Sequence, residues 1–177
     1  MKEMSNQLTK NSFSRLGLFG IPACTFRVER IHPDQKHLYA DLFNHYKYSR
    51  REMSVKADTH CIAGGLFGRE PVIFIVLTNY PASVPVGFIQ LYLTSSSAST
   101  EKATIVSDLY VLPDYRKNGA ALKLTEAAVN FAIHNKSAFI RLEILNENLS
   151  AKKLFESVGF TCHTPAPAHS IYSIRFG

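Results

Sequence analysis

Hydrophobic and polar residues follow two periods along this chain, and the periods separate predicted strands from predicted helices. Alternation with a period of two, or an apolar run bounded by turn residues, is typical of strands. By this criterion we predict strands at 24–31, 72–78, 87–93, 103–112, 139–145 and 170–175, with a further extended segment at 159–163.

Helices place apolar residues three and four positions apart, so that they share one face. A helix is predicted to open at His32-Pro33-Asp34, a short one to cover Thr59 to Phe67, and a third to run from Ala120 to about Asn135. The fourth carries Ala151, Leu154, Phe155 and Val158 at helical spacing. The order β-α-α-β-β-β-α-β-α-β predicts an α/β fold with a mixed sheet of six to seven strands and about four helices.

The composition is that of one folded domain. The chain has 177 residues, 46% of them hydrophobic and 19% charged, which suits a single core and argues against disorder. We expect residues 1–22 to form an N-terminal extension and residues 23–177 the domain. No apolar run approaches the ~20 residues of a membrane span. The apolar stretch Leu16–Cys24 is short and is broken by two glycines and a proline, so secretion is not expected.

The net charge of +6 first suggests an anionic partner. The basic residues are scattered, and no basic-aromatic pattern typical of RNA recognition is found, so no nucleic-acid partner is expected. Three cysteines without a C-x-x-C pattern predict no disulfide framework and a cytoplasmic location. Neither His60-Cys61 nor Cys162-His163 predicts a metal site, because adjacent strand residues point to opposite faces.

The basic turn Arg116-Lys-Asn-Gly-Ala-Ala121 lies between a predicted strand and a predicted helix. The first N–H groups of a helix lack intrahelical partners, and the helix dipole favours an anion there. Gly119 has no Cβ to block a phosphate, while Arg116 and Lys117 add positive charge. The turn matches neither the Walker pattern nor G-x-G-x-x-G. We therefore predict a phosphate site of another kind.

The spacing Arg116-x-x-Gly119-x-Ala121 resembles the R/Q-x-x-G-x-G/A turn of GNAT-type N-acetyltransferases, which holds the pyrophosphate of acetyl-coenzyme A. The segment Asn148–Phe160 is similar to a second GNAT signature, N-x-x-A-x-x-(L/F)-Y-x-x-x-G-F. Two signatures in the right order make coincidence a poor explanation. Finer features resemble the diamine-acetyltransferase-like branch: Leu66-Phe-Gly68 with Pro71, Pro85-Val-Gly-Phe88, and Asp108–Arg116.

The resemblance covers residues 24–175 and implies a single-domain GNAT-like fold with a mostly antiparallel sheet and acetyl-CoA as cosubstrate. It also implies that the strand before the turn bulges and diverges from the strand at 141–145, so that its free backbone groups bind the pantetheine arm. The cofactor-binding residues that it implies are Leu109, Tyr110, Val111, Arg116, Lys117, Asn118, Gly119, Ala120, Ala121, Asn148, Ala151, Lys152 and Phe155.

Two departures from the family pattern concern catalysis. Phe155 stands where a tyrosine often protonates the departing thiolate, and its loss should slow the reaction rather than forbid it, because a thiolate leaves tolerably near neutral pH. Ile105 and Ser107 stand where relatives often carry Glu or His. Asp108 should face the other way unless a bulge turns it, and Tyr110 shares this ambiguity. The catalytic candidates are Asp108, then Glu143, then Tyr110, and a structural role fits each equally well.

The predicted function is acetyl transfer to a primary amine of a small molecule or peptide, by direct attack. The alternative is a weakly active or silent acyl-CoA-binding sensor, which Phe155 and the missing base favour. His169 and Tyr172 either line the acceptor pocket or lie on the surface. The sequence leaves open the acceptor, the acyl length and the oligomeric state; a homodimer is common among relatives.

Overall fold

The computed structural model describes residues 25–32, 35–51, 71–79, 82–95, 101–165 and 167–177. Within these ranges lie seven strands and three α-helices. The strands are β1 (Phe26–Arg30), β2 (Val72–Thr78), β3 (Pro85–Ser95), β4 (Lys102–Val111), β5 (Phe139–Leu145), β6 (Thr161–Pro165) and β7 (His169–Arg175). The helices are α1 (Lys36–Arg51), α2 (Ala120–His134) and α3 (Leu149–Ser157), and a 3₁₀ turn covers Pro113–Tyr115.

The strands form one sheet in the order β1-β2-β3-β4-β5-β7-β6. Neighbouring strands are antiparallel except β4 and β5, which are parallel. A parallel pair needs a long crossover, and α2 supplies it. The prediction of an α/β fold with a mixed, mostly antiparallel sheet is therefore confirmed.

Helices cover the sheet on two faces, and each face has its own core. Helices α2 and α3 cover what we call the α2 face, where Leu124 and Ile140 are fully buried. Helix α1 covers the opposite α1 face over β2, β3 and β4, where its Tyr39, Leu42 and Phe43 pack on Ile75, Leu77, Phe88 and Tyr110. Burying a large apolar side chain contributes about 1.5–3 kcal/mol, so both layers hold the strands in register.

Strands β3 and β4 approach unusually closely at Gly87, which pairs with Val111 near the end of β4. A Cβ at Gly87 would lie 2.6 Å from the carbonyl oxygen of Tyr110, closer than real side chains come. Glycine therefore lets the end of β4 lie flat against β3. This places the turn that follows β4.

The predicted element bounds differ from the observed ones by a few residues. The third predicted helix ends at His134 rather than Asn135. Helix α1 continues to Arg51, beyond its last apolar contact at Tyr46. The helix predicted at 59–67 and the extension predicted at 1–22 lie outside the described residues, which contain three α-helices where about four were expected.

Candidate functional site

A β-bulge interrupts β4 in the middle of its pairing with β3. Gln90 pairs with Asp108 and the next residue of β3, Leu91, pairs with Val106, so Ser107 is the extra residue. A bulge of one residue exchanges the faces toward which the following side chains point. Val106 accordingly belongs to the core of the α2 face, whereas Tyr110 belongs to the core of the α1 face.

The bulge settles the orientation of Asp108. Its cross-strand partner Gln90 accepts a hydrogen bond from the Tyr39 hydroxyl of α1 at 2.8 Å, so both residues lie on the α1 face. Gln90 also donates to the Tyr92 hydroxyl at 2.7 Å, and Tyr92 pairs with Ile105. Asp108 therefore shares a face with Ile105. The expectation that it faces the opposite way holds only for a regular strand.

The parallel pair formed by β4 and β5 separates soon after it begins. Three cross-strand pairs connect the strands, and the last joins Ile105 to Arg141. Both strands then continue, β4 to Val111 and β5 to Leu145, without further pairing to each other. This opens a gap between them, lined on the β4 side by backbone groups that point away from β3 and have no partner strand among the described residues. The expected bulge and divergence are thus both found.

Helix α2 begins at the open end of this gap with an exposed N-terminus. Its capping position, Gly119, has φ +87°, and Lys117 has φ +61°. No side chain of the described residues caps the helix, and its first turn contains no acidic residue. Positive φ values near a helix start turn successive N–H groups toward one concavity, which binds anions. Among the residues that the structure describes, the amides of 117–121 at the end of β4 therefore have no backbone acceptor.

The side chain of Arg116 ties the turn to β4. Its Nε donates to the carbonyl oxygen of Val111 at 2.9 Å, and its guanidinium carbon lies 5.8 Å from the centre of the Tyr110 ring. The guanidinium therefore fixes the turn geometry and also brings positive charge beside the amides. Lys117 is exposed and adds a second charge next to it.

Helix α3 begins at the corresponding end of β5, on the other side of the gap. The Asn148 side-chain oxygen accepts from the Ala151 amide at 3.1 Å and from the Ser150 hydroxyl at 2.9 Å. Lys152 donates to the Asn146 side chain at 3.3 Å. Asn148 is thus the N-cap of α3.

Phe155 lies on the buried side of α3 with 3% of its surface exposed. Its ring meets that of Phe160 edge to face, with the ring centres 5.2 Å apart. Tyr172 lies in the same core and donates to a Glu156 carboxylate oxygen at 3.2 Å. Burial, and then the neighbouring Glu156, raise the pKa of Tyr172 above its usual value. Tyr172 is therefore a protonated core residue of the α2 face, while His169 is exposed.

Asp108 is held by two neighbouring hydroxyl groups. Tyr46 of α1 donates to one carboxylate oxygen, and Ser107 donates to the other. The Tyr46 ring lies 5.6 Å from the rings of both Phe88 and Tyr110, so its hydroxyl is anchored by a packed aromatic group. The carboxylate is partly buried and has a defined orientation beside the gap.

The other two catalytic candidates differ in exposure. Glu143 is exposed on β5, two residues beyond Arg141, and therefore lies on the α1 face across the gap from Asp108. Tyr110 is 7% exposed and packs against Phe88, so its ring is part of the core. The bulge thus turns Asp108 to the α1 face, on which Glu143 also lies; Tyr110 shares this face, but its ring is buried beneath α1.

The comparisons with known proteins agree with this geometry. Residues 29–160 match the acetyltransferase (GNAT) family. The chain belongs to this family. It is 33% identical over 122 residues to the uncharacterized N-acetyltransferase YhfO of Bacillus subtilis (strain 168), an alignment that covers 68% of this chain and 80% of that protein.

Solved structures of similar fold include other acetyltransferases. A probable acetyltransferase superposes with a TM-score of 0.64 at 26% identity, covering 78% of this chain and 91% of its own. Arabidopsis thaliana NAA60 in complex with acetyl-CoA gives a TM-score of 0.62 at 16% identity, covering 86% of this chain and 98% of its own. The predicted GNAT fold is confirmed, as is the prediction of an N-acetyltransferase with acetyl-CoA as cosubstrate at the level of the family.

The predicted residues of this GNAT protein gather around the gap in two groups. Leu109–Val111 and residues 116–121 lie at the end of β4, and Asn148–Phe155 lie at the end of β5. Because β4 and β5 are parallel, both groups lie at the carboxyl ends of these two strands.

Tyr46 is not among the site residues predicted from the sequence; its hydroxyl contacts Asp108 only because the bulge turns that residue.

Other kinds of site are not found in the part of the chain that the structure describes. No group of three or more His, Cys, Asp or Glu side chains is arranged there to hold a metal ion. No helix among those residues is long and apolar enough to cross a membrane.

Proposed function

We propose that this protein transfers the acetyl group of acetyl-CoA to a primary amine of a small molecule or peptide by direct attack. One observation carries the proposal. Strand β4 separates from β5 after three pairs and leads into a helix whose N-terminus no described side chain caps. The chain thus offers a groove lined by backbone groups that ends in an anion site, which suits a long cosubstrate with a diphosphate.

The donor would bind chiefly through the main chain. The amides of residues 117–121 would hold the diphosphate, with Arg116 and Lys117 adding charge. The free edge of β4 at Leu109–Val111 would pair with the pantetheine amides, and an N–H near Leu109 would polarise the thioester carbonyl. Asn148, Ala151, Lys152 and Phe155 would border the arm on the β5 side.

The acceptor amine would reach the thioester from the α1 face, where Asp108 and Glu143 lie. A lysine-like ammonium has a pKa near 10.4, so at pH 7 roughly one molecule in 10³ carries the free amine that can attack. We assign Asp108, and in second place Glu143, to take the ammonium proton directly or through water. The amine nitrogen then forms the C–N bond and loses its second proton to solvent as the C–S bond breaks. The thiolate takes a proton from solvent, because Phe155 has none to give.

Gly119 provides the test of donor binding. In Gly119→Glu a carboxylate would occupy the anion site, and we expect acetyl-CoA affinity to fall by about 10²-fold or more in calorimetry at low ionic strength. Gly119→Ala isolates the backbone effect, since a side chain at φ +87° costs about 1–2 kcal/mol without adding charge.

Asn130→Glu is the matched control, because it adds the same charge at an exposed position on the same helix, away from its start. It should bind acetyl-CoA like the unchanged protein. If Gly119→Glu binds equally well, the diphosphate lies elsewhere and the proposal is wrong.

The competing function is a sensor that binds acyl-CoA without turnover, and the buried Phe155 is the observation that favours it. Thiol release from acetyl-CoA with a panel of amines separates the two functions. Release that depends on both an amine and Asp108 supports the transferase, whereas tight binding without release on any amine supports the sensor.

The finer predictions remain proposals. The diamine-acetyltransferase-like branch is the weakest, because a dication needs a group of carboxylates and the described acceptor side offers chiefly Asp108 and Glu143. Acetyl is the default acyl group of the family, and longer acyl-CoA donors test it. Sedimentation tests the homodimer, and fractionation tests the cytoplasmic location.

A further inference from the structure

Beyond the gap, the α1 face of the sheet carries a groove with a distinct chemical character. The described helices leave this face uncovered over β5, β7 and β6, where a groove of about 360 Å³ lies. Its lining combines two apolar side chains with three basic ones and a serine: Phe139, Arg141, His163, Ile171, Ser173 and Arg175. A groove of this volume is large enough for a small molecule.

The strand register places these residues side by side. Phe139 pairs with Arg175 and Arg141 pairs with Ser173, so the four side chains share one face. The intervening residues of β5, Ile140, Leu142 and Ile144, point into the core of the α2 face.

The groove begins at the closed end of the gap. Arg141 pairs with Ile105, the last position at which β4 and β5 are joined. Glu143 follows two residues later, about 7 Å along the strand at 3.3 Å per residue, and borders the open part of the gap. One small molecule could therefore place an amine at the gap and another group at Arg141.

Of the three basic side chains that line the groove, Arg141 is the one without a partner among the described residues. Arg175 is already paired with Glu101 at 3.3 Å and stacks over the Phe139 ring at 5.7 Å. His163 interacts with the Thr161 hydroxyl at 3.0 Å. Arg141 is exposed, and within the described ranges it has neither an ion pair nor a side-chain hydrogen bond. Its planar guanidinium can bind a carboxylate or phosphate through two hydrogen bonds.

We infer that this groove binds the anionic group, carboxylate or phosphate, of a small amine acceptor whose amino group lies at the gap. The inference rests on the proposed transferase function and narrows its acceptor class. Glu143 lies between Arg141 and the open part of the gap. Its negative charge would face the ammonium group of such a molecule, and the positive charge of Arg141 would face the anionic group. A diamine would place its second ammonium against Arg141 and is disfavoured.

Matched pairs of amines test the inference, because each pair differs in the anionic group. We would measure thiol release with 4-aminobutyrate against butylamine and with O-phosphoethanolamine against ethanolamine. The anionic member of at least one pair should show a kcat/KM about tenfold higher or more, as expected for hydrogen bonds to a charged group. The pair with the larger ratio identifies carboxylate or phosphate as the natural group.

Arg141→Gln assigns the preference to this side chain. It should raise KM for the anionic acceptors about tenfold and leave the neutral amines and acetyl-CoA unaffected. Lys153→Gln is the control, because it removes the same charge from an exposed position on α3 and should change none of these values. Equal use of neutral and anionic amines, or an equal loss for both in Arg141→Gln, would overturn the inference.

Two further measurements separate the remaining outcomes. If no amine gives thiol release, the transferase proposal fails, and calorimetry with O-phosphoethanolamine and 4-aminobutyrate then tests the groove alone. Binding that Arg141→Gln abolishes would support the groove, and absence of binding would overturn it. If Arg141→Gln changes the sedimentation coefficient and slows all acceptors alike, the groove is a contact between copies of the chain, and the inference is wrong.

Discussion

The two helices that begin on either side of the gap differ in how their N-termini are capped. Helix α3 is capped by a side chain, because the Asn148 side-chain oxygen accepts a hydrogen bond from the Ala151 amide. Helix α2 starts at Gly119, which has no side chain, and no residue of the described chain caps it. Unpaired amides at a helix start favour an anion. The N-terminal amides of α2 are therefore available to an anion, whereas the N-terminus of α3 is capped by Asn148.

The same contrast separates the two functions of the site. In the proposed function, donor binding depends on chain geometry, because the bulge and the positive φ values arrange backbone groups at the end of β4. The proposed acceptor groups are instead side chains on the α1 face: Asp108, which Tyr46 holds, and the exposed Glu143. Mutations of side chains should therefore affect turnover, whereas mutations that move the backbone should affect donor binding.

Asp108→Asn should give the largest effect of a side-chain change. It keeps the shape, and its one oxygen can accept from Tyr46 or Ser107 while its NH2 group donates to the other hydroxyl, but it cannot take up a proton. We expect kcat to fall by about 10²-fold, the usual contribution of general base catalysis, with KM for acetyl-CoA unchanged. Steady-state thiol release measures both values.

Glu143→Gln is the matched variant across the gap and should lower kcat less, because Glu143 is exposed and is the second candidate. If Glu143→Gln abolishes activity and Asp108→Asn does not, the assignment of the two carboxylates must be exchanged. If neither affects kcat, proton removal is left to water.

Gly87→Ala tests the backbone side of the comparison. Its Cβ would lie 2.6 Å from the Tyr110 carbonyl oxygen, so the end of β4 must shift. Overpacking of this kind costs about 1–3 kcal/mol, and the free energy of unfolding in denaturant should fall by that amount. Because the displaced segment leads into the anion turn, acetyl-CoA affinity should fall as well.

Gly159→Ala is the control that lowers stability without displacing the end of β4. Gly159 ends α3 with φ +102°, and a Cβ there would meet no atom within 4 Å. The backbone strain should lower stability by about 1–2 kcal/mol while leaving donor affinity unchanged. Equal affinity losses in the two variants would mean that stability alone, not the position of β4, controls binding.

The sequence predicted the backbone geometry around the gap well and the orientation of the side chains poorly, for a physical reason. Gly119, Gly159 and Asn148 have local conformational preferences that fix helix ends, so the short spacings around them indicate the geometry directly. The separation of β4 from β5 came from the resemblance to the family, since no local property of those residues requires it.

The orientation of Asp108 could not be predicted, because one extra residue at Ser107 exchanges the faces of everything that follows. The bulge depends on how β3 pairs with β4, which is a non-local property. Tyr46 was missed for the same reason, since a tyrosine on an apolar helix face is expected to pack. Tyr46 and Asp108 are 62 residues apart in the chain, and only the packing of α1 on the sheet brings the hydroxyl to the carboxylate.

Tyr46→Phe should give the smallest effect and sharpens the comparison most. It removes only the hydroxyl that contacts Asp108 and keeps the ring contacts with Phe88 and Tyr110. One hydrogen bond to a charged group is worth about 1.5–3 kcal/mol, but Ser107 still holds the carboxylate, so we expect kcat to fall by only about three- to tenfold. KM for acetyl-CoA should stay the same, because the change lies on the acceptor side.

In an Asp108→Asn background, Tyr46→Phe should lower kcat little further, because the two residues act as one unit. A loss in donor affinity, or full additivity of the two changes, would contradict the separation of the site into a backbone half and a side-chain half.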